Sequence, residues 1–140
     1  MQKLKYGLVM AVCVAGALGV AMPVTAAAAP TALPGNSGYI TFWDDNGYRD
    51  RFIDFTNGEG SDDLDDLGFE DKASSFVNKT STYWVIYENK NRLGRKLCVR
   101  PNSHLTNMND VSFGDKMSSL RQARSAISSC DGATAIGQPN

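Results

Sequence analysis

The sequence predicts an all-β domain built from two tandem Greek keys, each a hairpin followed by two further strands. Three features point there. The chain repeats itself with a period of 44 residues, each copy opens on a strand–turn–strand pattern, and no segment sustains helical periodicity.

The repeat appears without a gap. Tyr39 falls on Tyr83, Arg51 on Arg95, Asp66 on Asp110 and Phe69 on Phe113, and Trp43 meets Tyr87. Asp71-Lys72-X-Ser74-Ser75 then falls on Asp115-Lys116-X-Ser118-Ser119. Eight identities in one frame, four of them crowded into those last five positions, make segments 39–77 and 83–121 two copies of one unit.

Each copy begins with a stretch rich in β-branched and aromatic residues, Tyr39–Trp43 or Tyr83–Tyr87. Turn formers follow: Asp44-Asp45-Asn46-Gly47 in the first copy, Glu88-Asn89-Lys90-Asn91 in the second. Phe52–Phe55 and Leu97–Val99 complete the hairpins, with Leu97 and Val99 inward and Lys96, Cys98 and Arg100 outward. The second half of each copy is loop-rich, with Phe69 and Phe113 as core anchors ahead of the Asp-Lys-X-Ser-Ser turns. Asp62, Asp63, Asp65 and Asp66 read as a solvated acidic loop. Ser118–Ile127 is expected as a short helix. One such unit cannot bury its apolar face alone, whereas two facing each other form a sandwich.

Residues 1–29 read as a signal peptide. Lys3 and Lys5 precede an uncharged apolar run, Gly7–Met22, and small residues follow at Ala26–Ala29. The run is short for a membrane span. Residues 30–38 are expected as a flexible lead-in, 39–130 as the domain, and 131–140 as a mobile tail. A secreted, extracellular monomer is expected. The full chain carries a formal charge of −1, and losing Lys3 and Lys5 makes it −3. That balance argues against nucleic acid as a partner, which would need clustered Lys and Arg. Cys98 and Cys130 read as one disulfide, with free thiols as the alternative. With those two cysteines and a single histidine, His104, a tetrahedral zinc set falls short. The same lone histidine gives catalysis little to work with, and the chain reads as a non-enzyme.

Tyr87-Glu88-Asn89-Lys90-Asn91-Arg92-Leu93-Gly94-Arg95, followed by Gly114–Ser119, resembles the βγ-crystallin Greek-key signature. The first copy carries the diverged form Trp43–Arg51, with Asp50 at the glycine position, then Glu70–Ser75. The resemblance implies a βγ-crystallin-type sandwich. It also implies calcium ligands at the Asp-Lys-X-Ser-Ser turns: carboxylates of Asp71 and Asp115, hydroxyls of Ser74 and Ser118, and main-chain carbonyls of Lys72 and Lys116. In that fold the two turns lie side by side and complete each other's sites. Glu70 and Gly114 depart from the motif's first position, so weak or single-site binding is expected. The other reading is that Asp and Ser tie the turns without metal.

Within the fold, Ser75–Thr80 and Arg95–Arg100 resemble the central stretch of the secreted bacterial metalloproteinase inhibitors. That resemblance implies an extracellular metallopeptidase as partner and the Cys98–Val99 bond as the inhibitory contact. The same residues also read as an ordinary core strand with a staple. Two alternatives stand beside inhibition: a calcium-binding structural or stress module, and a toxin-like protein binding surfaces through Trp43, Tyr48 or Trp84.

Overall fold

The computed structural model describes residues 31–140; the expected signal peptide lies outside them. Ten strands form two five-stranded sheets. From the first copy come β1 (Tyr39–Asp45), β2 (Arg49–Thr56), β3 (Gly60–Ser61) and β4 (Ser75–Asn78). The second supplies β5 (Trp84–Asn89), β6 (Leu93–Val99), β7 (Ser103–Leu105) and β8 (Ser119–Gln122). The C-terminal segment adds β9 (Thr134–Ile136) and β10 (Gln138–Pro139). One sheet runs β10-β7-β4-β1-β2, the other β3-β8-β5-β6-β9. The short third strands are exchanged: β3 joins the second copy's sheet and β7 the first's. This is the sandwich of two Greek keys that the repeat predicts, of the βγ-crystallin type that the resemblance implies.

The strand period of two sets the core. Ile40 and Phe42 point inward from β1, across from Trp84 and Ile86 of β5, and all four are fully buried. Phe55, Phe76, Leu97, Val99 and Leu120 fill the rest of the layer. Leu64, Phe69, Met108 and Phe113 close the loop-rich end.

The 44-residue period reappears in hydrogen bonds. Ser75 Oγ donates to the Asp45 carbonyl at 2.7 Å and accepts from the Tyr48 amide at 3.0 Å. Ser119 Oγ donates to the Asn89 carbonyl at 2.6 Å and accepts from the Arg92 amide at 3.0 Å. The hairpin turns these serines hold pass through left-handed backbone at Gly47, Tyr48 and Asp50, and at Asn91, Arg92 and Gly94. Asp50 (φ 63°) therefore takes the same backbone region as Gly94 (φ 78°), as a short polar side chain permits.

Three local expectations are corrected. Ser118–Ile127 is not a helix: β8 pairs with β5 over four residues, and only a 3-10 turn at Ile127–Cys130 follows. Burial of Leu120 on the inner face and the ladder to β5 outweigh a weak helical preference. The C-terminal residues are not a free tail, because β9 runs parallel to β6 and β10 pairs with β7. Ile136 enters the core, and the Asn140 amide donates to the Asn102 carbonyl at 3.0 Å. The lead-in is tied down too: Lys79 Nζ donates to the carbonyls of Leu33 and Gly35, both at 2.7 Å.

Among the described residues no helix is long and apolar enough to cross a membrane.

Candidate functional sites

The two Asp-Lys-X-Ser-Ser turns meet at one end of the sandwich in reciprocal pairs. Ser74 Oγ donates to Asp115 Oδ1 at 2.5 Å, and Ser118 Oγ donates to Asp71 Oδ1 at 3.3 Å. Main-chain bonds hold the turns in register. The Asp71 amide donates to the Met117 carbonyl, and the Asp115 amide to the Ala73 carbonyl. Leu64 N bonds Ser118 O while Met108 N bonds Ser74 O, the same contact made twice with the copies exchanged. Both aspartates adopt left-handed backbone (φ 51° and 53°), which leaves the carboxylates exposed and both serines buried. Lys72 is half-buried and Lys116 is exposed, its Nζ lying 3.7 Å from Glu88. Of the six residues expected at a calcium site, Asp71, Ser74, Asp115 and Ser118 are thus in mutual contact, with Lys72 and Lys116 in the same turns.

The first motif position explains what each turn lacks. Glu70 is turned away to Lys90, at 3.3 Å. Gly114 has no room for a side chain, because a Cβ there would lie 2.5 Å from Asn109 Oδ1. The Asn109 amide occupies that space, a neighbour the sequence pattern did not single out. Each turn therefore offers one carboxylate and one hydroxyl, already satisfied by one another. Among the described residues no three His, Cys, Asp or Glu side chains converge as a metal-binding set.

The acidic loop is not merely solvated. Lys90, from the second copy's hairpin, contacts Asp63 and Asp65 at 3.2 Å each, as well as Glu70. The hydrogen bonds it donates to the Asp63 and Asp65 carboxylates hold its ammonium above the usual lysine range. Arg92 pairs with Asp62 at 2.6 Å. The sequence carried a signal for this, since the basic turn Lys90–Arg92 of one copy has no counterpart in Asn46–Tyr48 of the other.

The Cys98–Val99 bond requires a correction. Both residues are fully buried, and β6 is paired by β5 on one side and β9 on the other. Cys98 is disulfide-bonded to Cys130, with Cα atoms 5.8 Å apart. It sits in a second apolar cluster with Val85, Tyr87 and Ala123 on the outer face of that sheet, beneath the segment leading to β9. Both faces of β6 are therefore covered here, and the alternation predicted for Leu97–Val99 does not leave Cys98 exposed. A bond so placed cannot enter a peptidase cleft without opening the sheet.

The chain surfaces one residue later. Arg100 and Asn102 are exposed and Pro101 half-buried, and the turn they form is braced from several elements. The Arg100 amide donates to the Ile136 carbonyl at 3.1 Å and its guanidinium to the Gly137 carbonyl at 3.0 Å. Its own carbonyl accepts from Asn78 Nδ2 at 2.8 Å and from Ser103 Oγ at 2.6 Å. The Asn102 amide bonds the Thr80 carbonyl at 3.1 Å. Proline fixes one φ, and Asn102 adopts left-handed backbone (φ 45°).

The aromatics considered for surface binding are mostly interior. Trp84 is fully buried with its indole N–H donating to Thr80 Oγ1 at 3.1 Å, and Trp43 is 6% exposed. Tyr48 packs edge-on against Trp43 at 5.4 Å. Burial raises the Tyr48 phenol above its ordinary pKa, and its hydroxyl has no partner among the described residues.

Two exchanged Greek keys, serine-tied hairpins and reciprocal Asp–Ser turns define a βγ-crystallin fold, and comparison with solved structures agrees. A βγ-crystallin from Ciona intestinalis matches at 22% identity, over 61% of this chain and 99% of that one, with a TM-score of 0.54. An archaeal βγ-crystallin matches at 23% identity, over 62% and 99%, with a TM-score of 0.53. A βγ-crystallin domain from Clostridium beijerinckii matches at 22% identity, over 63% and 99%, with a TM-score of 0.52. At such identities the likeness establishes the fold. No curated protein matches the chain. The model of peptidase inhibitor family I36 matches residues 28–99, and the chain belongs to that family.

Proposed function

We propose that the protein inhibits an extracellular metallopeptidase and that its contact segment is the turn Arg100-Pro101-Asn102. Family membership supports a peptidase as partner. The metallopeptidase reading rests on the resemblance of Ser75–Thr80 and Arg95–Arg100 to the secreted metalloproteinase inhibitors. The observation that carries the placement is the bracing of the turn from Asn78, Thr80, Ile136 and Gly137. A segment already fixed before binding loses little conformational entropy on docking, so more of its contact energy appears as affinity. The disulfide also fits an oxidising, extracellular setting.

The test is a titration of residues 31–140 against a thermolysin-like zinc peptidase and a serine peptidase. Inhibition of the zinc enzyme alone is expected, and Pro101→Gly, which frees the turn, should weaken it about tenfold. Inhibition of the serine enzyme alone would refute the metallopeptidase reading. Undiminished inhibition by both Pro101→Gly and Asn102→Ala would place the contact elsewhere.

A second reading, calcium binding at the paired turns, is favoured by one observation: Asp71 with Ser118, and Asp115 with Ser74, are already in reciprocal contact. A bound cation would draw its oxygens from these four side chains and from main-chain carbonyls of the turns. Calcium should then raise the melting temperature, and the double variant Asp71→Ala, Asp115→Ala should abolish the rise. No shift in the wild-type chain would leave the Asp–Ser pairs as ties within the fold.

A further inference from the structure

The pinned lead-in creates a pocket that the resemblance does not foreshadow. Pro34 and Gly35 cross the outer face of β1 and β2, held by Lys79, and enclose a pocket of about 250 Å³. Its sheet side is made by two cross-strand pairs, Trp43 opposite Phe52 and Thr41 opposite Asp54. The ring centroids of Trp43 and Phe52 lie 6.4 Å apart, tilted by 44°. Tyr48 braces Trp43 edge-on, so that wall is fixed in advance. Phe52 is 60% exposed, an unusual place for so large an apolar ring unless something covers it.

Two polar groups in the pocket are unmatched. The half-buried Asp54 carboxylate makes no side-chain hydrogen bond and no ion pair among the described residues. Of the two arginines in its strand, Arg51 is engaged by Asp44 and by the Gly68 carbonyl, and Arg49 lies at the far end, opposite Asp45. Thr41 Oγ1 is buried without a partner. Gly35 lies over it in left-handed backbone (φ +88°), and a Cβ there would come within 3.1 Å of that oxygen. That oxygen is closed off beneath Gly35, so it shapes the floor of the pocket and leaves polar recognition to Asp54.

Aromatic faces beside a carboxylate are the recognition chemistry of an organic cation. The volume is below that of a drug-sized ligand site and suits a single head group. We propose that this pocket binds an alkylammonium or guanidinium group. Phe52 and Trp43 contact the cation, and Asp54 supplies the counter-charge and accepts its hydrogen bond. The same chemistry reaches the pocket either as a free amine or as a Lys or Arg side chain of a protein partner.

The test uses the two indole N–H resonances of residues 31–140, titrated with arginine amide and with its neutral isostere citrulline amide. The Trp43 signal should move with arginine amide and stay in place with citrulline amide, while the signal of the fully buried Trp84 stays in both. Asp54→Asn, which keeps the size of the side chain, should weaken binding about tenfold, the worth of one semi-exposed ion pair with its hydrogen bond. Phe52→Ala should weaken it several-fold. The source is then separated by the inhibition assay. Weaker inhibition by Asp54→Asn assigns the cation to the peptidase, and unchanged inhibition assigns it to a free amine. Equal movement with both amides, no movement with either, or undiminished binding by Asp54→Asn would overturn the proposal.

Discussion

Ser75 and Ser119 are small and fully buried, and each ties the same two backbone groups of its hairpin. Replacing Ser75 with alanine removes a hydroxyl bonded at 2.7 Å to the Asp45 carbonyl and at 3.0 Å to the Tyr48 amide. A net hydrogen bond contributes about 1 kcal/mol, and stranding a partly buried donor costs more, so the loss should be about 2–3 kcal/mol. For a domain of this size that lowers the melting temperature by about 10 °C. Ser119→Ala should cost a similar amount, because its two bonds repeat those of Ser75 one period later. The assay is urea denaturation followed by circular dichroism, with a thermal melt alongside. Ser81→Ala, at an exposed position, serves as the control and should change little. A loss below about 0.5 kcal/mol for Ser75→Ala would refute the view that the serine holds the left-handed turn. Unequal losses at the two sites would refute the energetic equivalence of the repeats.

Three further outcomes follow from the same structure. Breaking Cys98–Cys130, with residues 32 apart, should cost about 3–4 kcal/mol in the chain-entropy model, read as a shift of the urea midpoint between the wild type and Cys98→Ala, Cys130→Ala. Tyr48→Phe removes a buried hydroxyl without a partner, so stability at neutral pH should hold or rise by about 1 kcal/mol. Because burial raises the Tyr48 phenol, the fold keeps its stability below the ordinary tyrosine pKa and loses part of it as pH climbs through the raised value, where the buried phenol must ionise. Tyr48→Phe should therefore flatten the alkaline arm of the stability profile, and an unchanged arm would remove Tyr48 as its source. Lys90→Ala should loosen the acidic loop at Asp63–Asp65, seen as faster amide exchange there and not in the β1–β2 hairpin, and uniform exchange in both would argue against the clamp.

The features that were legible in the sequence are those a local period reports. The 44-residue repeat located both hairpins and the paired turns, and the burial of Ile40, Phe42, Phe69 and Phe113 follows from alternation and from the anchors before each turn. The features that escaped depend on contacts distant in sequence. Ile136 and Ala135 look too sparse to make a strand until β6 offers an edge. The lead-in reads as flexible by composition, yet Lys79, 44 residues beyond Gly35, pins it. Cys98 was expected at the surface because Lys96 and Arg100 flank it at strand spacing. Its burial depends on Ala123 and Cys130, which reach the outer face of the sheet from the following segment. The Asn109 amide in place of a Gly114 side chain is a substitution in space with no trace in the motif.

The parallel pairing of β9 with β6 also constrains the order in which the molecule is completed. β6 cannot gain its second neighbour, nor Cys98 its partner, until residues 130–136 are available. During vectorial synthesis the hairpins and their serine ties can form early, but the sheet edge beside Cys98 stays open until β9 has emerged. A chain cut short by a dozen residues lacks both Cys130 and β9 and leaves Leu97–Val99 as a bare apolar edge, a template for pairing with another copy. Pairing of β9 is thus what closes that edge: with it in place Leu97–Val99 has a neighbouring strand on both sides.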